Sequence, residues 1–327
     1  MLDSSKVMNQ ETVSKQDLQI AAELYGLNGE GLEFEGGIEN SVYKYEKNGQ
    51  SFFLRFGDIS HMSFNLVNAE IDWMLYLLDR NIPAVKPVAS DNGLFVERIG
   101  TGSNSYNVVA FEKAEGNQLD FGDPHSWNDS VVRNWGKTIG RMHSVTKDYK
   151  PKSSRRYEFK PELDLPLIKR ESKKVINSIS DLFQRMHELP KGREVYGLVH
   201  SDIHVGNFFV KNDKISAILD FDRACYKWFI SEVAIALYYP LYITSLRENS
   251  LEQRKFASEF LPIFREGYES EHRLNESWNE HLDMFIRVRD AILFMYLPSD
   301  VPEALRERFR RRIVGEDPYT EIYWDAL

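Results

Sequence analysis

Between residues 200 and 222 the chain collects the side chains that phosphoryl transfer requires: His200-Ser201-Asp202-Ile203-His204-Val205-Gly206-Asn207, then Asp220-Phe221-Asp222. That chemistry needs one carboxylate to orient an acceptor hydroxyl and take its proton. It also needs oxygen donors for the magnesium ions that neutralise a triphosphate. Asp202 fits the first role, and Asn207 and Asp220 fit the second. Placing Asp202 and Asn207 in one loop fixes the acceptor relative to the metal, and positioning supplies much of this kind of catalysis.

Phe208-Phe209-Val210 reads as a short buried strand, Lys211 to Lys214 as a turn, and Ile215 to Leu219 as the returning strand, a hairpin expected to bring Asp220 back beside Asn207. A competing reading takes the alternation of His200, Asp202 and His204 as metal ligands on one face of an extended segment. The remaining histidines, such as His61, His125, His187 and His272, are scattered singly. A metallohydrolase would need further ligand clusters, and the plain alternative, a loop whose polar residues merely satisfy one another, leaves Asn207 and Asp220 unexplained.

The elements that must hold these groups are legible on both sides. Ser14 to Tyr25 reads as a helix, with Ser14 as cap, Asp17 at capping-box spacing and Gly26 as stop. Strand patterns follow at Leu32 to Glu35, Val42 to Glu46 and Ser51 to Phe56, the last two joined through Asn48-Gly49, a strong hairpin signal. Between the first two lies Gly36-Gly37-Ile38-Glu39-Asn40, where missing side chains would let backbone approach phosphate; an ordinary turn is the plainer reading. Arg55, on the strand after that loop, stands where a phosphate-binding cation is needed. Asn68 to Asp79 reads as a helix with an apolar stripe of Ile71, Met74, Leu75 and Leu78. Glu70 lies off that stripe, as a partner for Arg55 or as a solvated glutamate.

Val85 to Ala89 and Leu94 to Arg98, joined by Asp91-Asn92-Gly93, read as another hairpin, and Tyr106 to Phe111 as a further strand. Glu112 to Gly116 is then a hinge whose backbone, at Glu112 and Ala114, can read an adenine edge, or else a plain linker. Beyond it the pattern turns helical. Val132, Trp135, Ile139 and Met142 share one face of a helix ending near His143, and Val175, Ile179, Leu182 and Met186 share another. Lys147 to Lys160, basic but followed by Glu162 and Asp164, reads as a solvated connection. From Glu232 onward the pattern is helical, with aromatic clusters at Tyr238-Tyr239 and Trp278 and acidic residues such as Glu280, Asp283 and Asp290.

Composition narrows the class. At 327 residues, with 42% hydrophobic and 28% charged residues, the chain can bury a large core in two lobes. A net charge of -9 argues against a nucleic-acid partner and suits a cationic acceptor. The one cysteine, Cys225, forms no intrachain disulfide and fits a reducing compartment. Met1 to Glu11 lacks the apolar core of a signal peptide. The apolar run from Trp228 to Ile243 is interrupted by Ser231 and Glu232 and is too short to span a bilayer comfortably. A cytoplasmic protein with no membrane partner is expected.

Taken together, Leu198 to Asn207, Leu219 to Asp222, Gly36 to Tyr43 and Gly140-Arg141-Met142-His143-Ser144 closely resemble the aminoglycoside phosphotransferase family, the protein-kinase-like group that includes choline, homoserine and hydroxylysine kinases. The resemblance runs from Ser14 to the C-terminal helices. It implies an α+β, protein-kinase-like bilobal fold: an N-terminal lobe over 1–111 with a five-stranded antiparallel sheet and one packed helix, a hinge over 112–116, and a mostly helical C-terminal lobe over 117–327. It implies nucleotide, ATP or GTP, with Mg2+, and a small-molecule hydroxyl acceptor such as an aminoglycoside, amino alcohol or hydroxy amino acid. Gly36, Gly37, Asn40, Arg55, Glu70, Glu112 and Ala114 would bind nucleotide, His200 would be structural, and Asp222 would assist magnesium or orient the loop. His204 falls near the phosphates or packs.

Four positions depart from the family pattern: Arg55 for a lysine, Ser201 for a glycine, Val205 for a proline, and Glu232 for an aspartate. Glu232 would still support the catalytic loop by hydrogen bonding. The departures at Arg55 and Glu232 keep open a nucleotide-binding scaffold with little catalysis. A protein Ser/Thr kinase is disfavoured because no Ala-Pro-Glu segment follows Asp222.

Overall fold

The structure, a computed structural model, describes residues 13–27, 31–37, 40–101, 104–120, 127–161, 168–247, 250–274, 281–298 and 300–316. The features noted above at Met1 to Glu11, Ile38, Glu39, His125, Glu162, Asp164, Trp278 and Glu280 lie outside the described residues. The chain divides into two compact units. The first comprises Met1–Gly116 with Tyr149–Arg156 and Ser216–Asp222, the second Asn117–Asp148, Tyr157–Ile215 and Arg223–Leu327.

In the first unit, helix α1 (Lys15–Leu24) is capped by Ser14, whose Oγ accepts from the Asp17 N–H at 3.1 Å. Strands β1 (Glu33–Gly36), β2 (Asn40–Lys47), β3 (Gln50–Asp58), β4 (Pro87–Val88), β5 (Glu97–Thr101) and β6 (Asn104–Glu112) form a six-stranded sheet in the order β1-β2-β3-β6-β4, with β5 also on β6. All recorded pairings in it are antiparallel. Leu54, Phe56, Val108 and Ala110 carry the core that meets Ala21 of α1 and Tyr25 at its C-terminal cap, because strand alternation turns every second residue inward.

The expected hairpin between residues 85 and 98 is not formed. β4 and β5 each pair with β6, and the segment joining them is closed by a tight turn, with Ser90 N–H donating to the Leu94 carbonyl at 2.8 Å and Gly93 N–H to the Ser90 carbonyl at 2.9 Å. The buried Glu97 carboxylate braces it, accepting from Ser90 Oγ at 2.6 Å and Asn92 Nδ2 at 2.9 Å. Pro87 also lacks the N–H that a longer ladder would need. With β4 counted, the sheet has one strand more than the five expected.

Helix α2 (Phe64–Leu78) starts earlier than its pattern suggested because Ser63 caps it, and it buries a broader face: Val67, Ala69, Glu70, Ile71, Trp73, Met74 and Leu77. Glu70 is therefore not a solvated glutamate. Nor is residues 147–160 merely a solvated connection. Arg156 is 2% exposed, its Nη1 donates to the Leu66 carbonyl at 3.0 Å, and its Nη2 donates to the Asp222 carbonyl.

The second unit contains helices α3 (Asp129–Thr146), α4 (Lys173–Glu188), α5 (Ile230–Arg247), α6 (Ser250–Glu269), α7 (Leu282–Met295) and α8 (Glu303–Ile313). It also has the antiparallel pair β7 (Tyr196–Val199) and β10 (Cys225–Trp228), which the sequence reading missed. Strands β8 (Phe208–Lys211) and β9 (Lys214–Ile218) form a two-stranded sheet turned by Asn212 and Asp213, both at positive φ. The apolar stripe of α3, with Val132, Trp135, Ile139 and Met142, is buried. Gly140 lies so close to α6 that a Cβ there would stand 2.4 Å from the Tyr268 carbonyl oxygen, so only glycine permits this helix approach. Among the described residues, no helix is long and apolar enough to cross a membrane.

Candidate active site

Strand β7 delivers the chain into residues 200–207, where the backbone turns sharply: Ser201 has φ 68°, a left-handed conformation costly for any residue with a Cβ. A fully buried carboxylate holds it there. Glu232 Oε1 accepts from the Ser201 N–H at 2.7 Å, and Oε2 pairs at 2.7 Å with His143 Nε2, whose Nδ1 lies 2.8 Å from the Tyr268 hydroxyl. Because Oε2 can only accept, Nε2 carries the His143 proton and Nδ1 accepts from Tyr268. The close approach at Gly140 is what brings Tyr268 within reach. The extra methylene of Glu232 thus supports the loop directly, and His143 serves that support.

Asp202 follows at once. Asn207 Nδ2 donates to the Asp202 main-chain carbonyl at 2.9 Å and approaches its Oδ2 at 3.4 Å. His200 is buried, and its Nδ1 accepts from the Asp202 N–H at 3.3 Å. His204 Nδ1 accepts from the Gly206 N–H at 3.0 Å, leaving Nε2 protonated and 3.8 Å from Asp202 Oδ2. Both histidines thus spend a ring nitrogen on the loop itself, which argues against the metal-ligand reading. Burial pulls the His204 imidazole down to about 4, against the attraction of Asp202, so the ring is neutral at ordinary pH.

Asp202 Oδ1 is bound by Arg289 of α7, whose Nη2 also donates to the Tyr239 hydroxyl of α5. Burial opposes the Asp202 charge, but Arg289 first, then His204 and His200, outweigh it and hold the carboxyl below its usual range. Sequence reasoning missed Arg289. Its signal was present: Arg289-Asp290 interrupts the apolar run of α7, and buried charges must find partners. Asp290, next along, does so: it is buried and its Oδ1 accepts from Tyr238 at 2.8 Å and Arg312 Nε at 2.9 Å.

In the first unit, Arg55 of β3 and Glu70 of α2 form a forked pair, Nη1 to Oε1 at 2.8 Å and Nη2 to Oε2 at 3.1 Å, with Glu70 fully buried. Burial alone would lower the Arg55 guanidinium. Glu70, and beyond it Asp222 and Asp220, reverse the sign and raise it. Asp220 therefore lies within electrostatic reach of Arg55, at φ 56°. Asp222 is buried and its Oδ2 accepts from Asn40 Nδ2 at 3.3 Å.

Gly36 ends β1, and Gly37 follows at φ 132°, where a Cβ would stand 1.7 Å from the Asn40 carbonyl oxygen. Position 37 consequently requires glycine. Glu112 ends β6, its N–H donating to the Lys86 carbonyl at 2.9 Å, while Ala114 lies just past the strand. The structure thus groups Asp202 and Asn207 in the second unit. In the first unit it groups Arg55 with Glu70, and Asn40 with Asp222.

A carboxylate and an amide locked into one loop, with a forked Arg–Glu pair on sheet and helix, belong to a kinase-like phosphotransferase. The chain belongs to the phosphotransferase enzyme family, whose model matches residues 30–274. An amicoumacin kinase of Bacillus subtilis (strain 168) is 31% identical over 341 residues, spanning 100% of both chains. Among solved structures, an amicoumacin kinase in complex with AMP-PNP, Ca2+ and Ami matches with a TM-score of 0.86 at 30% identity, over 98% of this chain and 99% of that one. A microcompartment-associated aminopropanol kinase matches with a TM-score of 0.72 at 17% identity, over 94% and 99%, and speaks for the fold alone. The protein is a phosphotransferase acting on a small molecule.

Proposed function

We propose that this protein transfers the γ-phosphoryl group of ATP, with GTP as a possible second donor, to a hydroxyl of amicoumacin or a molecule like it. The observation that carries the reading is the Asp202 carboxylate, held ionised and pinned through its own loop beside Asn207. Asp202 orients the acceptor hydroxyl and receives its proton as the oxygen bonds to the γ-phosphorus. The bond from that phosphorus to the bridging oxygen breaks, and ADP leaves with its electron pair.

The donors fit magnesium. Asn207 commits its Nδ2 to Asp202, which leaves Oδ1 as a neutral oxygen ligand, and Asp220 supplies a carboxylate, the hard-oxygen set this ion prefers. When bound, the ion neutralises charge on the triphosphate. Arg55, oriented by Glu70, contacts phosphate through the face of its fork turned away from the pair. The backbone at Gly36, Gly37 and Asn40 approaches the phosphates, and that of Glu112 and Ala114 meets the adenine edge. Asp222 keeps Asn40 in place.

The test is ADP release on a panel of amicoumacin, an amino alcohol, an aminoglycoside and a hydroxy amino acid, with ATP or GTP and with or without Mg2+. Turnover with at least one acceptor, lost in Asp202→Ala while nucleotide still binds, supports the reading and removes the scaffold alternative. Undiminished turnover in Asp202→Ala overturns it.

A further inference from the structure

The contacts of Asp202 are unequal. Its Oδ1 is bound by a charged donor, Arg289, whereas among the described residues its Oδ2 meets only Asn207 Nδ2 at 3.4 Å and His204 Nε2 at 3.8 Å. One oxygen is therefore anchored and the other left available. Arg289 is itself anchored. Its guanidinium donates to the Tyr239 hydroxyl and lies over the Tyr239 ring, 5.2 Å from the centroid, and that ring packs against His204 at 4.3 Å between centroids. His204 returns to the loop through the Gly206 N–H. The contacts thus form a closed circuit: Asp202, Arg289, Tyr239, His204, the loop, and Asp202 again.

The helices that supply it are indexed to each other by the neighbouring residues. Tyr238 and Tyr239 are consecutive on α5, as are Arg289 and Asp290 on α7, and each tyrosine bonds one member of the facing doublet. Rotating α7 enough to turn Arg289 away would break the buried Asp290 bonds to Tyr238 and Arg312 as well. This is heavy investment of buried charge in aiming one guanidinium.

We propose that Arg289, steadied by Tyr239, is the positioning residue of the transfer reaction. It fixes the Asp202 carboxylate through Oδ1 so that Oδ2 is presented to the acceptor hydroxyl. This rests on Asp202 being the group that takes the proton, and it adds how that group is held. A plane is needed as well as a charge: one guanidinium nitrogen serves both Asp202 and Tyr239 while the flat, delocalised group lies over the Tyr239 ring, a stacking an ammonium does not reproduce. A carboxylate free to rotate loses near-attack geometry, and misplacements on the order of 1 Å cost about 100-fold in rate.

The experiment compares Arg289→Gln, Arg289→Lys, Tyr239→Phe and Asp202→Asn, singly and with Arg289→Gln combined with Asp202→Asn. It uses the full chain and the acceptor that gives best turnover in the panel above. Expected is a fall in kcat of about 100-fold for Arg289→Gln with acceptor and nucleotide KM within about threefold, since the interaction acts in the transition state and not in binding. Arg289→Lys and Tyr239→Phe should fall between this variant and the parent. In the Asp202→Asn background, Arg289→Gln should change the remaining rate less than about twofold, because residues acting as one unit are not additive.

The proposal is overturned if Arg289→Gln keeps parental kcat, if the loss lies wholly in acceptor KM, or if the loss is the same in both backgrounds. Should Arg289→Gln fail to fold by its melting profile, Tyr239→Phe, which keeps the charge and the ring, decides alone by the same split between kcat and KM. Retained turnover in Asp202→Asn would instead sink the functional reading, so the two failures are separable.

Discussion

Replacing Glu232 by alanine removes the acceptor of two buried donors at once, the Ser201 N–H and His143 Nε2–H, each held at 2.7 Å. A buried donor left without an acceptor costs about 1–3 kcal/mol, so Glu232→Ala should lose about 2–6 kcal/mol, or roughly 3–9 °C in melting temperature for a chain of this size. Glu232→Gln is the informative contrast. Its amide oxygen can accept from Ser201 while its nitrogen donates to His143 Nε2, provided His143 shifts its proton to Nδ1 and donates to the Tyr268 hydroxyl. Each of these groups then keeps a partner, with the Tyr268 O–H proton and the second amide hydrogen losing an acceptor, and the expected loss is about 1–3 kcal/mol, smaller than in Glu232→Ala.

Because Ser201 precedes Asp202, kcat should follow stability: down about 100-fold in Glu232→Ala if the loop relaxes by an ångström, and much less in Glu232→Gln. Thermal melts and ADP release measure the two effects. Glu232→Gln as damaging as Glu232→Ala would refute the hydrogen-bond account. So would Glu232→Ala melting within about 1 °C of the parent.

Arg55→Met should cost about 3–5 kcal/mol by leaving the fully buried Glu70 unpaired, and Arg55→Met combined with Glu70→Met should recover most of it in denaturant titrations. Failure to recover would show that Arg55 stabilises by packing alone. Burial pulls the Lys227 ammonium down to about 8, and the group lies over the Phe159 ring at 4.3 Å. Since the unfolded group titrates near 10.4, the unfolded chain binds more protons between about pH 8 and 10.4, and stability should rise with pH across that window. Lys227→Met should abolish that rise and gain about 2 kcal/mol at pH 7 after the lost ring contact is deducted. Parallel stability curves for the two proteins would contradict this. At Ser201, φ 68°, glycine should be neutral or add up to about 1 kcal/mol, whereas valine should cost more than about 1 kcal/mol. Chemical denaturation of both variants distinguishes them.

Local chemistry made much of the fold legible. Ser14, Asn48-Gly49 and the stripe from Val132 to Met142 act through caps, turns and periodicity, which are written within a few neighbouring residues. Pairing choices were not. Nothing near residue 90 announces that β4 and β5 will both seek β6, because partner selection is decided by residues far along the chain. The same holds at the site. Asp202 and Asn207 could be read because one loop holds both, and Arg55 with Glu70 because a strand and the next helix face each other. Arg289 could not be aimed from sequence: its target lies 87 positions away, on a helix whose rotation is fixed by Tyr238 and Arg312. Glu232 was expected to brace the loop, but its second partner, His143, depended on a helix approach that only Gly140 permits.

The threading of the first unit has a consequence for how it matures on the ribosome. When residue 116 emerges, the N-terminal sheet still lacks strapping that arrives much later. Val85 waits for the Ile218 carbonyl, Trp73 waits for the Phe221 ring, and the Leu66 carbonyl waits for Arg156. Nascent chains cut short before Asp222 should therefore expose that half to proteases and chaperones, and a separately expressed 1–116 piece should behave as an incomplete body. Fusing residues 149–156 and 216–222 to that piece through short linkers is the route by which it could be made to stand alone.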